Sequence, residues 1–256
     1  MLNSISHLDG AAVMASDGEI GHVQQALFDD RGWTIRYLVV RTGSWLTGRE
    51  VLISPYSVMH PLGQDKQIRV ALTRDQVRNS PDVATHLPVS RQQERDVLRY
   101  YNYPDYWEGG SLWGMGALPY PPVRVMSAAE REANRDMLAR DFQGQDVHLR
   151  STDEVKGYQL LATDESIGAV HDFVFDDESW AMRYLVVDTR VWWPGGRQVL
   201  IGVHWADRID WGQQQVHVRL TREQVKASPE FVDVAAIHRD YELRLHHNYQ
   251  RQGYWL

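Results

Sequence analysis

An internal duplication limits the folds open to this chain more than any other feature. The stretch Phe28-Asp29-Asp30-Arg31-Gly32-Trp33-Thr34-Ile35-Arg36-Tyr37-Leu38-Val39-Val40 returns as Phe175-Asp176-Asp177-Glu178-Ser179-Trp180-Ala181-Met182-Arg183-Tyr184-Leu185-Val186-Val187. Nine of these thirteen positions are identical at a constant offset of 147 residues (175 − 28), where chance would give about one. Upstream, Ile20-Gly21 corresponds to Ile167-Gly168, and Gly10 to Gly157. After a one-residue insertion, Val51-Leu52-Ile53 matches Val199-Leu200-Ile201, and Thr73-Arg74-Asp75-Gln76-Val77 matches Thr221-Arg222-Glu223-Gln224-Val225. Both copies then reach Ser-Pro, at Ser80-Pro81 and Ser228-Pro229. A chain of 256 residues is therefore two copies of one small unit rather than one large domain.

Within a unit the pattern is β. Short, β-branched apolar runs at residues 23–28 and 36–41 are divided by Asp29-Asp30-Arg31-Gly32, a hairpin signal that reads Asp176-Asp177-Glu178-Ser179 in the second copy. Ile20-Gly21-His22-Val23 reads as a turn entering the first strand, and residues 50–54 and 67–72 add further short strands. Strands this short and numerous predict a closed or nearly closed barrel, which hides the edges of a small sheet. Thr73 with Gln76, and Thr221 with Gln224, have capping-box spacing and predict a short helix after each last strand. Ser127 with Glu130 predicts another, running to about Arg140. The repeat extends into a tail in which Tyr100-Tyr101-Asn102-Tyr103, then Tyr106-Trp107, is aligned with His246-His247-Asn248-Tyr249, then Tyr254-Trp255. Residues 109–125 are rich in Gly and Pro, and Pro119, Pro121 and Pro122 cannot continue a helix or a central strand. The expected fold class is mainly β with short helices. Its parts are a first barrel over 1–80, a helical and Gly/Pro/aromatic linker over 81–145, a second barrel over 146–229 and a helical aromatic tail over 230–256.

Composition narrows the function classes. An apolar fraction of 43% and a charged fraction of 24% are those of a globular protein. The absence of cysteine removes disulfides, thiolate nucleophiles and Cys-type zinc sites, and fits a reducing compartment. A net charge of −7 argues against general binding to nucleic acid or to an anionic membrane surface. The first ten residues show no basic start followed by an apolar run, and no stretch approaches the roughly 20 apolar residues of a spanning helix. The sequence predicts a cytoplasmic protein without membrane insertion.

The order Asp17-Gly18-Glu19-Ile20-Gly21, a strand to Phe28-Asp29, then Trp33 and Arg36-Tyr37-Leu38-Val39-Val40, resembles the PRC-barrel family. Residues 163–221 resemble it equally well, and the likeness covers about residues 3–80 and 150–228. The family is named from the photosynthetic reaction centre H subunit and also occurs in a bacterial ribosome-maturation factor. The resemblance implies a small β-barrel that docks on partners. In the H subunit it steadies neighbouring subunits and shapes proton delivery through carboxylates. In the ribosome factor it meets a ribosomal protein. This sequence shows neither the H subunit's membrane anchor nor the ribosome factor's companion domain, so neither partner carries over. The motif is structural, specific for fold rather than function.

Four groups of side chains are candidate sites. Asp29-Asp30 and Asp176-Asp177 suit a hairpin turn, where Asp bonds its own main chain, or a proton or weak cation site. Arg36 and Arg183 suit an anion contact or a pairing with a carboxylate over the barrel end. His246-His247 point about 100° apart on a helix, which is poor for chelation, and no metal-binding spacing occurs among the eleven histidines. The aromatics Trp45, Trp192, Trp193, Tyr100, Tyr101, Tyr103, Tyr106, Trp107, Tyr249, Tyr254 and Trp255, with His246 and His247, suit either packing of one repeat on the other or contact with a partner. No Gly-x-Ser-x-Gly and no phosphate-cradling glycine loop is found. The reading is a non-enzymatic interaction scaffold, without cofactor or metal, that docks on a protein partner or on itself as a homodimer. Two alternatives stand beside it. One is an accessory factor of photosynthetic or electron-transport complexes, in peripheral association with a membrane complex. The other is a small-molecule or metal sensor with its pocket between the barrels.

Overall fold

Apolar runs that alternate with turn signals become strands in the computed structural model, which describes residues 1–60, 62, 65–82, 89–107, 110–114, 116–120, 148–190, 192 and 194–255. The helix expected at 127–140 and the side chain of Trp193 lie outside the described residues. The first repeat contains β1 (Leu2–Ser4), α1 (Ile5–Leu8), β2 (Ala12–Ala15), β3 (Gly18–Asp29), β4 (Thr34–Thr42), β5 (Glu50–Ile53), β6 (Gln67–Arg69), α2 (Arg74–Arg78) and α3 (Arg91–Tyr100). The second contains β7 (Leu149–Ser151), α4 (Thr152–Val155), β8 (Gln159–Leu161), β9 (Ser166–Asp176), β10 (Met182–Asp188), β11 (Gln198–Gly202), β12 (Ala206–Asp210), β13 (Gln215–Val218), α5 (Arg222–Lys226) and α6 (Arg239–Asn248). Mainly β structure with short helices, in two related sheets, is what the sequence predicts. Thr73 and Thr221 each close a capping box with Gln76 and Gln224, as their spacing requires.

The sheets run β5-β4-β3-β2-β6 and β11-β10-β9-β8-β13-β12. Neighbours are antiparallel except β2 with β6 and β8 with β13. Among the described residues neither sheet closes on itself through paired strands, so of the expected closed or nearly closed barrel the fully closed form is corrected. The reason lies at the end of β5. Ser54 accepts the Tyr56 N–H, Pro55 has no N–H to offer a ladder, and the chain turns through a 3-10 helix, Pro55–Ser57. It then returns to the far edge, where Val58 bridges Val70 and the Met59 N–H donates to Arg69 O at 2.8 Å. The sheet curls round, and the chain itself spans the gap. In the second repeat the turn Val203–Trp205 does the same, and the returning segment becomes β12, paired with β13.

Gly21 lies inside β3, not in a turn before it. A Cβ there would stand 2.0 Å from the carbonyl oxygen of Arg41, and one at Gly168 would stand 2.5 Å from that of Asp188. The repeated glycine is thus explained by close approach of two backbones, beside register shifts in the β2–β3 and β8–β9 ladders.

The two repeats exchange their first strands. β1 pairs with β9 of the second repeat, Asn3 opposite Phe175, and β7 pairs with β3 of the first, Arg150 opposite Phe28. The boundaries at 80 and 146 therefore divide the chain but not the sheets. Between the exchanged strands the hairpin ends also meet: Thr34 bridges Ala181, the Ile35 N–H donates to Trp180 O at 2.9 Å, and the Met182 N–H to Trp33 O at 2.7 Å. Trp33 and Trp180 adopt left-handed backbones, φ 49° and 58°, at a cost of about 1–2 kcal/mol each. That conformation aims each tryptophan carbonyl into the other repeat. Phe28 and Phe173 come within 6.1 Å across the junction, and one apolar core runs through both repeats.

Candidate functional site

The acidic turns are built by their own backbones. Asp29 accepts the N–H of Arg31 at 2.9 Å and pairs with Arg36 at 3.3 Å. Asp176 accepts the Glu178 N–H at 3.2 Å and the Ser179 hydroxyl at 2.7 Å, and pairs with Arg183 at 3.3 Å. Burial alone would raise the Asp176 pKa, but the Ser179 hydroxyl, the Glu178 N–H and the Arg183 charge together hold it below the usual range. Asp30 and Asp177 face the exchanged strands: Arg150 reaches Asp30 at 3.4 Å, while Asn3 and the Met1 amino group donate to Asp177. Burial raises the Asp30 pKa. Among the described residues no group of three or more His, Asp or Glu is placed to hold a metal ion.

Beyond the turns, each repeat buries a carboxylate among hydroxyl, imidazole and guanidinium groups. Glu94 on α3 is fully buried and accepts from the Tyr106 hydroxyl, with His148 Nε2 at 2.9 Å and Arg91 at 3.5 Å. Arg91 also donates to the Tyr106 oxygen at 3.0 Å. Glu242 on α6 accepts from Tyr184 at 2.8 Å and Tyr254 at 2.9 Å, and pairs with Arg239 at 3.1 Å. His246 sets Nε2 3.0 Å from the Tyr184 oxygen and Nδ1 2.9 Å from Gln252 O, so Nδ1 carries the proton. Burial lowers the His246 pKa despite the nearby carbonyls and Glu242. Burial pushes the hydroxyls of Tyr106 and Tyr184 well up, the neighbouring carboxylates adding to it. The histidines come from different places: His148 is delivered from the second repeat into the first, whereas His246 belongs to α6 itself. Glu94 is fully buried and Glu242 nearly so, and each braces the elements it touches. Sequence reasoning missed Glu94, Glu242, Arg91, Arg239 and His148. The usable signal was Arg91-Gln92-Gln93-Glu94 returning as Arg239-Asp240-Tyr241-Glu242.

The tails obey one register, which shifts the first string of the sequence alignment, Tyr100–Tyr103 against His246–Tyr249, by two residues and keeps the pairing of Tyr106-Trp107 with Tyr254-Trp255. Tyr100 donates to Gln76 O at 2.8 Å, and Asn248 to Gln224 O at 3.1 Å. Tyr101 thus corresponds to Tyr249, Tyr106 to Tyr254 and Trp107 to Trp255, while His246 stands where the first repeat has Leu98. The helix caps and the core-facing residues set this register, not the similar Asn-Tyr strings. His246 is buried and His247 exposed, so the pair diverges. Tyr106 and Tyr249 are buried; Tyr101, Tyr103, Trp107, Tyr254 and Trp255 are half-buried. Burial pushes the Tyr101 hydroxyl to about 12. Trp45 is half-buried rather than an exposed anchor, its Nε1 donating to Ile20 O at 2.8 Å beneath Arg74, 4.4 Å away. Tyr100 and Trp192 remain exposed, at 39% and 37%.

Arg36 carries the linker. Its guanidinium lies 3.9 Å from the ring centre of Tyr106 and 4.8 Å from that of Trp113, two rings that meet edge to face, and donates to Leu112 O at 2.5 Å. Trp113 Nε1 reaches Ser179 O at 2.7 Å in the second repeat. The residues around Trp113 are therefore packed against both repeats. A cleft of about 600 Å³ beside them is lined by Asp29, Arg31, Arg36, Tyr106 and Trp107, and another of about 410 Å³ by Thr189, Pro194, Arg197, Arg222 and Lys226. Neither cleft lies between the repeats, where a sensor pocket was expected, because the exchanged strands and aromatic rings fill that space.

Two strand-exchanging copies of a small curled sheet, with buried carboxylates and inward-folded aromatic tails, define a duplicated barrel-like β protein. Residues 149–225 match the family model of the PRC-barrel domain. Comparison of the chain with curated proteins gives no match. Among the described residues no helix is long and apolar enough to cross a membrane.

Proposed function

We propose that the chain is a non-enzymatic docking scaffold, a tandem of two PRC-barrel units locked into an intramolecular counterpart of a homodimer. The reciprocal exchange of β1 and β7 carries this reading. It spends the edges and rings that a single unit would offer to a second copy, and leaves two related outer faces for a protein partner. The polar clusters serve rigidity, which suits a surface that docks without reorganising. Native mass spectrometry of the purified chain tests it. A mass with no adduct is expected, and a reproducible stoichiometric addition would overturn the scaffold in favour of a ligand-binding protein.

Self-association is a second reading, favoured by the exposed rings of Tyr100 and Trp192. Sedimentation of the Trp192→Ala and Tyr100→Ala chains decides it: dissociation of a dimer supports it, and an unchanged species counts against it.

A further inference from the structure

We propose that the second repeat docks an acidic, glutamate-bearing segment of a partner protein, in the cleft between α5 and the chain that leads into β11. The inference rests on the scaffold reading and names the partner's chemistry. The whole chain carries a net charge of −7. Around this cleft the balance is reversed: the described residues that line it include three cations, Arg197, Arg222 and Lys226, and no carboxylate. Val199 and Val225, both buried, give it an apolar wall. At about 410 Å³ it is of a size that takes a small molecule or a few side chains. Cations beside an apolar wall suit a carboxylate on an aliphatic stem, because an ion pair strengthens where water is excluded.

Arg197 is the centre of the site, held in place and still with donors to give. Its Nη2 donates to Lys226 O at 3.0 Å and to Ser228 O at 2.7 Å, which fixes the guanidinium at the end of α5. Its backbone is pinned as well, the Arg197 N–H donating to the Thr189 hydroxyl at 2.8 Å and that hydroxyl to Arg197 O at 2.7 Å. Among the described residues no acceptor meets Nε or Nη1, and no carboxylate pairs with Arg197. The first repeat shows what such an arginine takes. Arg49, its equivalent, donates to the matching carbonyls, Arg78 O at 3.2 Å and Ser80 O at 2.8 Å, and its Nε donates to the Asp82 carboxylate at 3.1 Å. Asp82 follows Ser80-Pro81, and Glu230 holds the same place after Ser228-Pro229. The Glu230 main chain bridges Val199 of β11, but its carboxylate does not pair with Arg197. The second repeat thus keeps the anchored guanidinium without the internal carboxylate, and an acidic residue from outside completes it. Arg222 is already held by Glu165, so Arg197 and the exposed Lys226 set the affinity.

The test is isothermal titration calorimetry of the full-length chain with an acetylated and amidated hexaglutamate peptide. Saturable binding is expected, absent for hexaglutamine and weakened by added salt. Lys226→Gln, at an exposed position, should weaken it about three- to tenfold, and Arg197→Gln about tenfold or more. Near-ultraviolet circular dichroism checks that the Arg197→Gln chain keeps its packing. Arg49→Gln, at the equivalent place in the first repeat, should leave binding unchanged. Absence of hexaglutamate binding would overturn the site, as would unchanged binding by either the Lys226→Gln chain or a folded Arg197→Gln chain. A loss in the Arg49→Gln chain as large as in Arg197→Gln would overturn it too. So would inorganic phosphate that binds as tightly as the peptide and competes with it, since a free oxyanion would then be the ligand. If the peptide fails while the native mass shows no adduct, the site falls and the scaffold stands. A stoichiometric adduct that the peptide does not displace removes the scaffold reading instead.

Discussion

Gly21 and Gly168 occupy points where a methyl group has no room, because the opposing obstacle is backbone rather than a side chain that can swing away. Gly21→Ala should cost about 3 kcal/mol and lower the Tm by roughly 6–12 °C, measured by calorimetry. An unchanged Tm would mean that the ladder relaxes freely there. His246 gives a pH signature. Burial depresses its folded pKa below the ordinary value of 6.5, so its stabilising contribution is complete above that value and is lost as pH falls through the folded one. His60 shifts in the same direction, also through burial. Denaturant titrations at pH 8 and pH 5 should show a smaller loss of stability for His246→Gln than for the natural chain. Equal losses would assign the acid response to other groups. Both residues were visible in the sequence, Gly21 as a repeated glycine and His246 as half of a pair. Neither role was, because burial and the opposing atoms come from strands and tails remote along the chain.

At the scale of elements, α3 and α6 fulfil the same task by different means. Each turns its glutamate inward, beside a buried Arg91 in α3 and an exposed Arg239 in α6, and each glutamate meets hydroxyls that would otherwise be buried without acceptors. The histidine of the first cluster belongs to the second repeat, so Glu94 ties α3 to the residue preceding β7. Glu94→Gln removes the charge from Arg91 and His148 while both stay buried, and should cost about 3 kcal/mol, seen as a lower midpoint in urea. A loss under about 0.5 kcal/mol would mean that the cluster is solvated in the folded chain. The capping boxes of α2 and α5 were legible because a cap is complete within four residues. The polar clusters were not, because they assemble from three separate segments.

At the scale of the whole molecule, the two repeats face each other through matching positions that no longer match chemically. Asp9 and Lys156 are equivalent in the duplication and pair at 2.9 Å, where a symmetric dimer would set like against like. Lys156→Asp should destabilise the chain by about 1–2 kcal/mol, and the double exchange Asp9→Lys with Lys156→Asp should restore most of it. Failure of the double exchange to recover stability would deny that the pair acts across the junction. The strand exchange makes a further demand. If a protease site is inserted within residues 121–147 and cut, the two fragments should still elute together, each sheet retaining a strand from the other fragment. Separation without denaturant would refute the exchange.

By itself the sequence determined the duplication, the hairpin around Asp29 and Asp30, the capped helices and the mainly β class. These follow from signals that act over a few residues: alternation, turn chemistry and caps. Only the tertiary structure decided that β1 and β7 cross over, that the sheets curl without closing, and that the aromatic tails fold inward. Strands of three residues carry too little pattern to name a partner, and Leu2-Asn3-Ser4 would fit either sheet equally by periodicity. Its place is chosen by the Trp33 and Trp180 carbonyls, the shared core and the Asp172 and Asp177 side chains that receive the incoming segment. All of these become neighbours only when the second repeat has folded against the first.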